Sequence, residues 1–362
     1  MERADYEGPG IVLSAIGARC GKCFKADGKW SALANAQVFL PNETFFRDYV
    51  WYLVNREIFW LKGGSAQPYV QIPPSINQRI PFPSFAEQRA IAEFLDRETA
   101  KIDELIAKKE RLIELLEEKR AALITHAVTR GLNPDAPLRH SGIEWLGQIP
   151  KHWKVERLSR LIDPSRRITY GIVQPGDPDP SGRFMVRGMD YSFGWVPPEQ
   201  IFRVSEAIER PYARSRLKPG DLLITIVGAG IGNTAVVPNW LDGANITQTT
   251  ARLSIGSKRA VPLFVDYSLR SAAGSANVAN SARGAAQPGL TLDGVSRFLI
   301  PLPDATEQEA IVEYLSQQMS RFDELRTHIE TAMQRLTEYR SALITATVTG
   351  KIDVRNEVKA AA

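Results

Sequence analysis

The chain is organised by a 44-residue segment, EQRAIAEFLDRETAKIDELIAKKERLIELLEEKRAALITHAVTR (87–130), which returns without a gap as EQEAIVEYLSQQMSRFDELRTHIETAMQRLTEYRSALITATVTG (307–350). About 19 of the 44 aligned residues are identical, far more than two unrelated helices share. Shorter matches precede both copies: GSAQP at 64–68 with GAAQP at 284–288, and IPFP at 80–83 with IPLP at 300–303. The sequence therefore predicts two copies of one unit, each a mixed region followed by a long helix.

Both long segments have the apolar spacing of a coiled coil. In the second copy the spacing alternates between three and four residues, through Phe322, Leu325, Ile329, Ala332, Leu336, Tyr339 and Leu343. The first copy has matching positions, interrupted by Lys109 and Lys119, at Ile102, Leu105, Leu112, Leu116 and Leu123. We expect two antiparallel helices that bury these seams against each other, with the lysine stems lying along apolar surface. A helix of this length spans about 66 Å, which is the dimension of a spacer.

The regions between the helices predict an α+β fold with two mixed α/β domains. The predicted plan is a partial first domain (1–86), a first long helix (87–132), a connector (133–150), a second domain (151–303), a second long helix (304–350) and a tail (351–362). Within the second domain, LLITIV (222–227), AVVP (235–238) and ARLSI (251–255) are typical of strands, and VPLFVDYSLRSA (261–272) of an amphipathic helix. Residues 142–217 have no counterpart before the first helix, so we expect the first domain to be incomplete, with an exposed apolar edge.

Composition and charge narrow the functional classes. The chain has 362 residues, 44% of them hydrophobic and 24% charged, which excludes collagen-like and disordered proteins. Neither a membrane-spanning stretch nor a signal peptide is apparent, so a cytoplasmic location is expected. The net charge of +4 is concentrated in residues 151–303, which carry +7. A basic block beside acidic helices suits a nucleic-acid surface attached to parts with another task.

Motifs for catalysis or cofactor binding are weak. Gly228, Gly230 and Gly232 follow a strand as in a dinucleotide site, but the next residues are strand-like instead of helical. The GARCGK run at 17–22 has too few residues between its glycines for a P-loop. Cys20 and Cys23 have the spacing of half a zinc site, but no second pair accompanies them. We therefore predict no catalytic residue, no metal site and no cofactor on this chain.

Several motifs together resemble the specificity subunits of type I restriction-modification systems. They are SGIEWLGQIPKHWKVERL (141–158), the EQ-x-AI-x-E-(F/Y)-L openings of both helices, DEL at 103–105 and 323–325, and the two ALIT-x-x-VT endings. The resemblance covers nearly the whole chain. It implies a non-catalytic subunit with two target recognition domains, each reading half of a bipartite double-stranded DNA site across a fixed gap. It also implies methyltransferase subunits that bind S-adenosylmethionine and dock on the spacer helices, joined by restriction subunits that use ATP and magnesium.

Candidate DNA contacts follow from residue type and loop position, because arginine reads guanine, glutamine reads adenine and other cations bind phosphate. In the second domain the candidates are Arg166, Arg167, Tyr170, Arg183, Arg187, Tyr191, Arg283 and Gln287. Weaker candidates in the first domain are Arg19, Lys22 and Gln67. The sequence does not reveal the DNA sequence recognised or the gap length.

Two other interpretations belong to different functional classes. A methyltransferase or nuclease in its own right would need the cofactor and metal motifs that the sequence lacks. A coiled-coil adaptor without sequence-specific DNA binding would make the basic block incidental. Salt dependence of DNA binding separates the adaptor from a specificity subunit.

Overall fold

The structure is a computed structural model that describes residues 4–56, 59–192, 194–256, 258–282 and 289–354. The chain divides into two compact units. Unit 1 consists of Met1–Ile113 and Arg326–Ala362, and unit 2 consists of Glu114–Leu325. The division therefore runs through both long helices, since each helix packs on both mixed regions in turn.

Unit 1 is built around a small antiparallel sheet and one packed helix. Its elements are β1 (Tyr6–Glu7), β2 (Gly10–Ser14), β3 (Cys23–Ala26), β4 (Lys29–Trp30), β5 (Ala36–Phe39), α1 (Arg47–Val54), β6 (Lys62–Gly63), β7 (Tyr69–Val70), α2 (Ile72–Ile76) and the long helix α3 (Phe85–Arg130). The central sheet has the order β3-β2-β5. Leu13 of β2 and Tyr49 and Leu53 of α1 are buried together beneath the first turns of α3.

Unit 2 is larger and has a four-stranded sheet. Its strands are β8 (Leu138–His140), β9 (Gln148–Pro150), β10 (Lys154–Arg157), β11 (Thr169–Tyr170), β12 (Arg183–Val186), β13 (Arg203–Val204), β14 (Leu222–Thr225), β15 (Thr234–Val236), β16 (Asn245–Ile246), β17 (Thr250–Leu253) and β18 (Leu299–Leu302). Its helices are α4 (Glu206–Glu209), α5 (Pro262–Arg270), α6 (Ala272–Ser281), α7 (Leu292–Ser296) and the long α8 (Ala305–Val348). The main sheet has the order β11-β17-β14-β15, beside a second sheet β13-β12-β16.

The predicted α+β class and the two long helices are confirmed. The expected strands at 222–227, 235–238 and 251–255 correspond to β14, β15 and β17, and the expected helix at 261–272 corresponds to α5. The predicted connector is more ordered than expected, because β8 and β9 pair as an antiparallel hairpin.

Within each unit α3 and α8 run antiparallel and are joined by an ion pair. The two ion pairs lie at equivalent positions of the repeat. Asp103 accepts from Arg340 at 2.9 Å in unit 1, and Asp323 accepts from Arg120 at 2.9 Å in unit 2. The seam is unevenly covered. Ile102, Ile329 and Leu343 are buried, Leu116, Leu123, Phe322 and Leu336 are half-buried, and Leu105, Leu112 and Leu325 are exposed.

A buried glutamine fixes the start of each long helix. The Gln88 Nε2 donates to the carbonyl oxygens of Thr44 and Pro83, and its Oε1 accepts from the Phe46 amide at 2.8 Å. Gln308 makes the same three bonds, to the backbone of Arg259, Pro303 and Val261. Both side chains are fully buried. Each glutamine therefore joins its long helix to the start of an earlier helix, α1 or α5, and a buried amide without such partners would be costly.

Candidate nucleic-acid interface

A concave basic surface, here called the basic hollow, lies near the beginning of β14 in unit 2. It encloses about 710 Å³ and is lined by residues 164–169, 213–214, 216–218, 242–243 and 252. Six of these side chains are cationic and one, Asp242, is acidic. A concave surface with one sign of charge concentrates the field and attracts polyanions.

Arg252 binds the backbone at the base of the hollow. It lies in β17 and is only 3% exposed. Its guanidinium donates to the carbonyl oxygens of Arg214 at 2.9 Å, Arg216 at 3.2 Å and Arg167 at 2.9 Å. Burial lowers the pKa of Arg252 from its ordinary value, but an arginine stays charged at neutral pH. One buried side chain thus fixes the backbone of the two segments that carry the exposed cations.

Two other arginines of the hollow are held by internal carboxylates. Arg166 makes a bidentate pair with Asp221, with N–O distances of 2.6 and 2.7 Å, and also donates to Ser254 at 2.8 Å. Arg216 makes a second bidentate pair with Glu209 at 2.7 Å. The Arg216 hydrogen bonds hold the pKa of the Glu209 carboxyl below its usual value, although burial acts against them. We therefore leave Arg166 out of the proposed DNA contacts, since its donors are committed inside the protein.

Three cations of the hollow face solvent: Arg167, Arg214 and Lys218. No described carboxylate forms an ion pair with any of them. Tyr170 is exposed next to Thr169, which lines the hollow opposite Arg252, but successive strand residues point to opposite faces and Tyr170 is not among the lining residues. Arg167 and Tyr170 were predicted from the sequence. Arg214 and Lys218 were missed, although the run ARSRLK (213–218) places basic residues at alternate positions.

The remaining candidates of unit 2 do not join this group. Arg183 donates to the Gly243 carbonyl at 2.8 Å on the rim of the hollow. Arg187 pairs with Asp190 at 2.9 Å. Tyr191 does not fit the expectation that it faces DNA, because it is 4% exposed and its hydroxyl lies 2.8 Å from Thr225 Oγ1, at the opposite end of β14. The other two candidates, Arg283 and Gln287, lie outside the described residues.

In unit 1 the three candidates are carried by neighbouring turns. Arg19 and Lys22 are exposed on the turn between β2 and β3, and Gln67 is exposed on the turn between β6 and β7. The Gly17 amide donates to the Pro68 carbonyl at 2.9 Å and joins the two turns. Gly21, at φ +88°, lies so close to the Lys62 side chain that a Cβ would contact it at 2.8 Å. Lys62 is therefore a fourth polar residue of this surface, which sequence reasoning missed.

The helix pair of unit 1 has a partly apolar concave surface, which we call the helix-pair surface. It encloses about 520 Å³ and is lined by Leu105, Lys109, His328, Thr331, Ala332, Arg335, Leu336 and Tyr339. Leu105 is 47% exposed and Tyr339 is 58% exposed. Exposed large apolar side chains grouped on one face are typical of protein interaction sites.

The two cysteines are embedded in the core of unit 1. Both are buried and free of disulfides. The Cys23 thiol points at the Val54 carbonyl, and burial raises its pKa to about 12, so it is protonated at neutral pH. Reactive and metal-binding cysteines need the thiolate. Among the described residues, no group of three His, Cys, Asp or Glu side chains could hold a metal ion. In the same part of the chain, none of the helices contains an apolar stretch that could span a bilayer.

Comparison with known proteins relates the chain to DNA specificity proteins. Residues 2–115 match the family model for the type I restriction modification DNA specificity domain. The type I restriction enzyme EcoBI specificity subunit of Escherichia coli is 30% identical over 277 residues, which are 75% of this chain and 58% of that protein. The MjaVIII specificity subunit of Methanocaldococcus jannaschii is 24% identical over 360 residues, 96% of this chain and 80% of that protein. The chain thus spans 58% of the length of the E. coli relative.

Solved structures show the same fold. A chain in a structure of the type I R-M system has a TM-score of 0.74 at 17% identity, over 97% of this chain and 85% of that one. The HsdS subunit from Thermoanaerobacter tengcongensis has a TM-score of 0.51 at 19% identity, over 94% and 81%. In its sequence matches the chain is similar to the specificity subunits of type I restriction-modification systems, and it has the fold of the two solved structures.

Proposed function

We propose that the chain is a non-catalytic subunit that recognises a bipartite double-stranded DNA sequence for a type I restriction-modification complex. The observation that carries this proposal is the basic hollow, in which a buried arginine holds three exposed cations on one concave surface of unit 2. The family relationship supplies the biological setting. Sequence recognition requires no reacting group, which agrees with the absence of a predicted catalytic motif.

DNA binding would divide between backbone contacts and base contacts. Arg167, Arg214 and Lys218 would neutralise phosphates, because each is an exposed cation that no described carboxylate pairs with. Arg183 lies at the rim of the hollow and is a candidate for contacts with bases, and Tyr170 remains a candidate from the sequence. In unit 1 the paired turns with Arg19, Lys22, Lys62 and Gln67 would contact the other half-site. Arg187, Arg283 and Gln287 remain candidates from the sequence.

The helices would provide spacing and docking. Helix α3 has 46 residues and α8 has 44, so each is about 66 to 69 Å long at 1.5 Å per residue. The helix-pair surface offers Leu105, Leu336 and Tyr339 to a methyltransferase subunit. In this proposal S-adenosylmethionine, ATP and magnesium bind to the methyltransferase and restriction subunits, and this chain binds no cofactor. The complex would work in the cytoplasm, where the DNA is.

The test is a DNA footprint of the full chain with and without its methyltransferase subunits, repeated over a salt series. We expect two protected half-sites separated by a constant gap, and an observed binding constant that falls steeply as salt rises. Arg160→Ala serves as a control, because this exposed arginine pairs with Glu156 outside the hollow. Co-purification with the methyltransferase but no footprint at any salt concentration would favour a coiled-coil adaptor and contradict the proposal.

A further inference from the structure

Unit 2 carries an exposed glutamine, Gln248, on the tight turn that joins β16 to β17. The Thr250 amide donates to the Thr247 carbonyl at 3.2 Å and closes this turn. Among the described residues, none forms a hydrogen bond with the Gln248 side-chain amide. The side chain therefore keeps its two donors and its acceptor for a ligand.

The backbone of this turn is held by three other segments. The Gln248 amide donates to the carbonyl of Ile172, in the loop after β11, at 2.9 Å. The Thr247 amide donates to the carbonyl of Val186, the last residue of β12, at 3.1 Å. The Thr249 carbonyl accepts from the backbone amide that follows β14, at 2.8 Å. A turn fixed on three sides presents its central side chain from a defined position, so little backbone ordering is needed when that side chain binds.

Three exposed apolar side chains lie at the same end of β14 as Gln248. Val173 directly follows the residue that binds the Gln248 amide, and Val227 donates to the next carbonyl along the turn at 3.4 Å. Met189 follows Gly188, which lies so close to the last residue of β14 that a Cβ would contact that threonine's Oγ1 at 3.0 Å. Val173, Val227 and Met189 are 41%, 36% and 69% exposed. We call Gln248 and these three residues the strand-end surface.

The chemistry of the strand-end surface suits the edges of bases. Its polar group is an uncharged amide and its other members are apolar, whereas neutralising a phosphate takes a lysine or an arginine. In the major groove, glutamine binds the N6 and N7 atoms of adenine, and apolar side chains contact the methyl group of thymine. An A·T base pair presents both features on one edge, so a glutamine with apolar neighbours matches it.

The internal repeat supports this assignment. Gln248 corresponds to Ala34 of unit 1, because the turn before β5 is closed by the same bond, from the Ala36 amide to the Leu33 carbonyl at 2.9 Å. The scaffold of the turn is therefore common to both units, whereas the side chain at its tip differs. Two units that read different half-sites need such a difference. In unit 1 the turn with Arg19 lies at the equivalent end of the sheet.

We propose that Gln248 reads an adenine in the half-site bound by unit 2, while its apolar neighbours contact the paired thymine. This inference rests on the proposed function, because it specifies how unit 2 recognises its half-site. The basic hollow supplies phosphate contacts with DNA of any sequence, and the strand-end surface supplies the discrimination. Strand β14 separates the two surfaces by about 14 Å, four residues at 3.4 Å each, which is close to the major-groove width of about 12 Å.

The test is a selection of bound duplexes from a random-sequence pool, using the full chain with its methyltransferase subunits. We expect the wild type to select two half-sites. Gln248→Ala should lower the preference for adenine about tenfold at one position of one half-site, because a bidentate base contact is lost. Gln248→Glu should change the preferred base at that position from adenine to cytosine, since a carboxylate accepts from cytosine N4. Gln317→Ala, on the exposed face of α8, is the matched control and should leave the selected sequence unchanged.

A salt series then separates a base contact from a phosphate contact. Gln248→Ala should leave the slope of log K against log salt unchanged, whereas loss of a phosphate-binding lysine lowers it by about 1. Two selected half-sites with an unchanged base preference in Gln248→Ala would overturn the inference and leave the proposed function intact. Equal weakening for every DNA sequence would overturn it in the same way. No selected sequence with the wild type would contradict the proposed function, and the inference with it.

Discussion

Unit 1 and unit 2 each contain a sheet with the same strand pairing, but the two sheets differ at one edge. In unit 1 β2 pairs with β3 so that Leu13 lies opposite Cys23, and in unit 2 β14 pairs with β15 so that Ile224 lies opposite Thr234. Beyond this common sheet, β17 pairs with β11 in unit 2, whereas β5 has no further strand among the described residues. The duplicated scaffold is therefore the sheet and the glutamine-anchored helix, and the additions distinguish the units.

The difference at the edge also determines where positive charge lies. Arg252 of β17 corresponds to Val38 of β5, because each lies opposite the equivalent residue of the central strand. Asp221, which pairs with Arg166, corresponds to Gly10. Unit 1 can therefore not build the basic hollow, and its candidate cations Arg19 and Lys22 lie on the turn at the other end of the sheet. A repeated scaffold with unlike polar surfaces suits the recognition of two different half-sites.

The largest expected effect follows from replacing Trp153, which is buried in unit 2. Trp153→Ala should destabilise unit 2 by about 3–5 kcal/mol, because it removes a fully buried indole and leaves a cavity. The chain has two units and need not unfold in one step, so local amide exchange is the suitable measurement. Exchange should accelerate in β18 and the first turns of α8 and stay unchanged in β2.

Trp240→Ala is the matched control for this change, because Trp240 is a half-exposed tryptophan of the same unit. It should accelerate exchange in β18 much less than Trp153→Ala does. Equal exchange rates in β18 for the two variants would show that Trp153 does not stabilise this strand.

The buried glutamines test the part of the scaffold that the units share. Gln88→Leu and Gln308→Leu should each destabilise their own unit by about 1–3 kcal/mol, because each leaves a buried amide and two carbonyl groups without partners. The measurement is local amide exchange in α1 and α5. Gln317→Leu on the exposed face of α8 is the control and should have little effect. A large effect in one unit with none in the other would contradict a common anchor.

The Glu209 pair provides a pH test of unit 2 alone. Its folded pKa is below the ordinary value of 4.5, so the pair contributes stability above pH 4.5 that is lost as the pH falls through the folded pKa. Glu209→Gln should therefore be less stable than the wild type at neutral pH, and the difference should shrink in acid. Denaturation followed at unit 2 between pH 3 and about pH 7 measures this difference. A difference independent of pH would mean that the charge is not involved.

The sequence was sufficient for the features that depend on local pattern. Helices α3 and α8 were predicted because heptad spacing and a constant repeat offset are visible along the chain. The anchoring role of Gln88 was not predicted, because the backbone groups that it binds belong to other elements, up to 44 positions away. Arg166 and Tyr191 were predicted to contact DNA because their partners inside the protein are also distant in sequence. Their surroundings depend on Asp221 and Thr225, which lie 55 and 34 positions further along the chain.

The smallest expected effect follows from replacing single exposed cations. One substitution in each unit allows the two recognition surfaces to be compared directly. Lys218→Ala in unit 2 and Lys22→Ala in unit 1 should each weaken DNA binding severalfold, because a phosphate contact contributes little individually, and lower the slope of log K against log salt by about 1. In footprints, each substitution should weaken protection of a different half-site. Arg160→Ala should change neither quantity. If both substitutions weakened the same half-site, the two units would not read separate parts of the DNA, and their unlike surfaces would need another explanation.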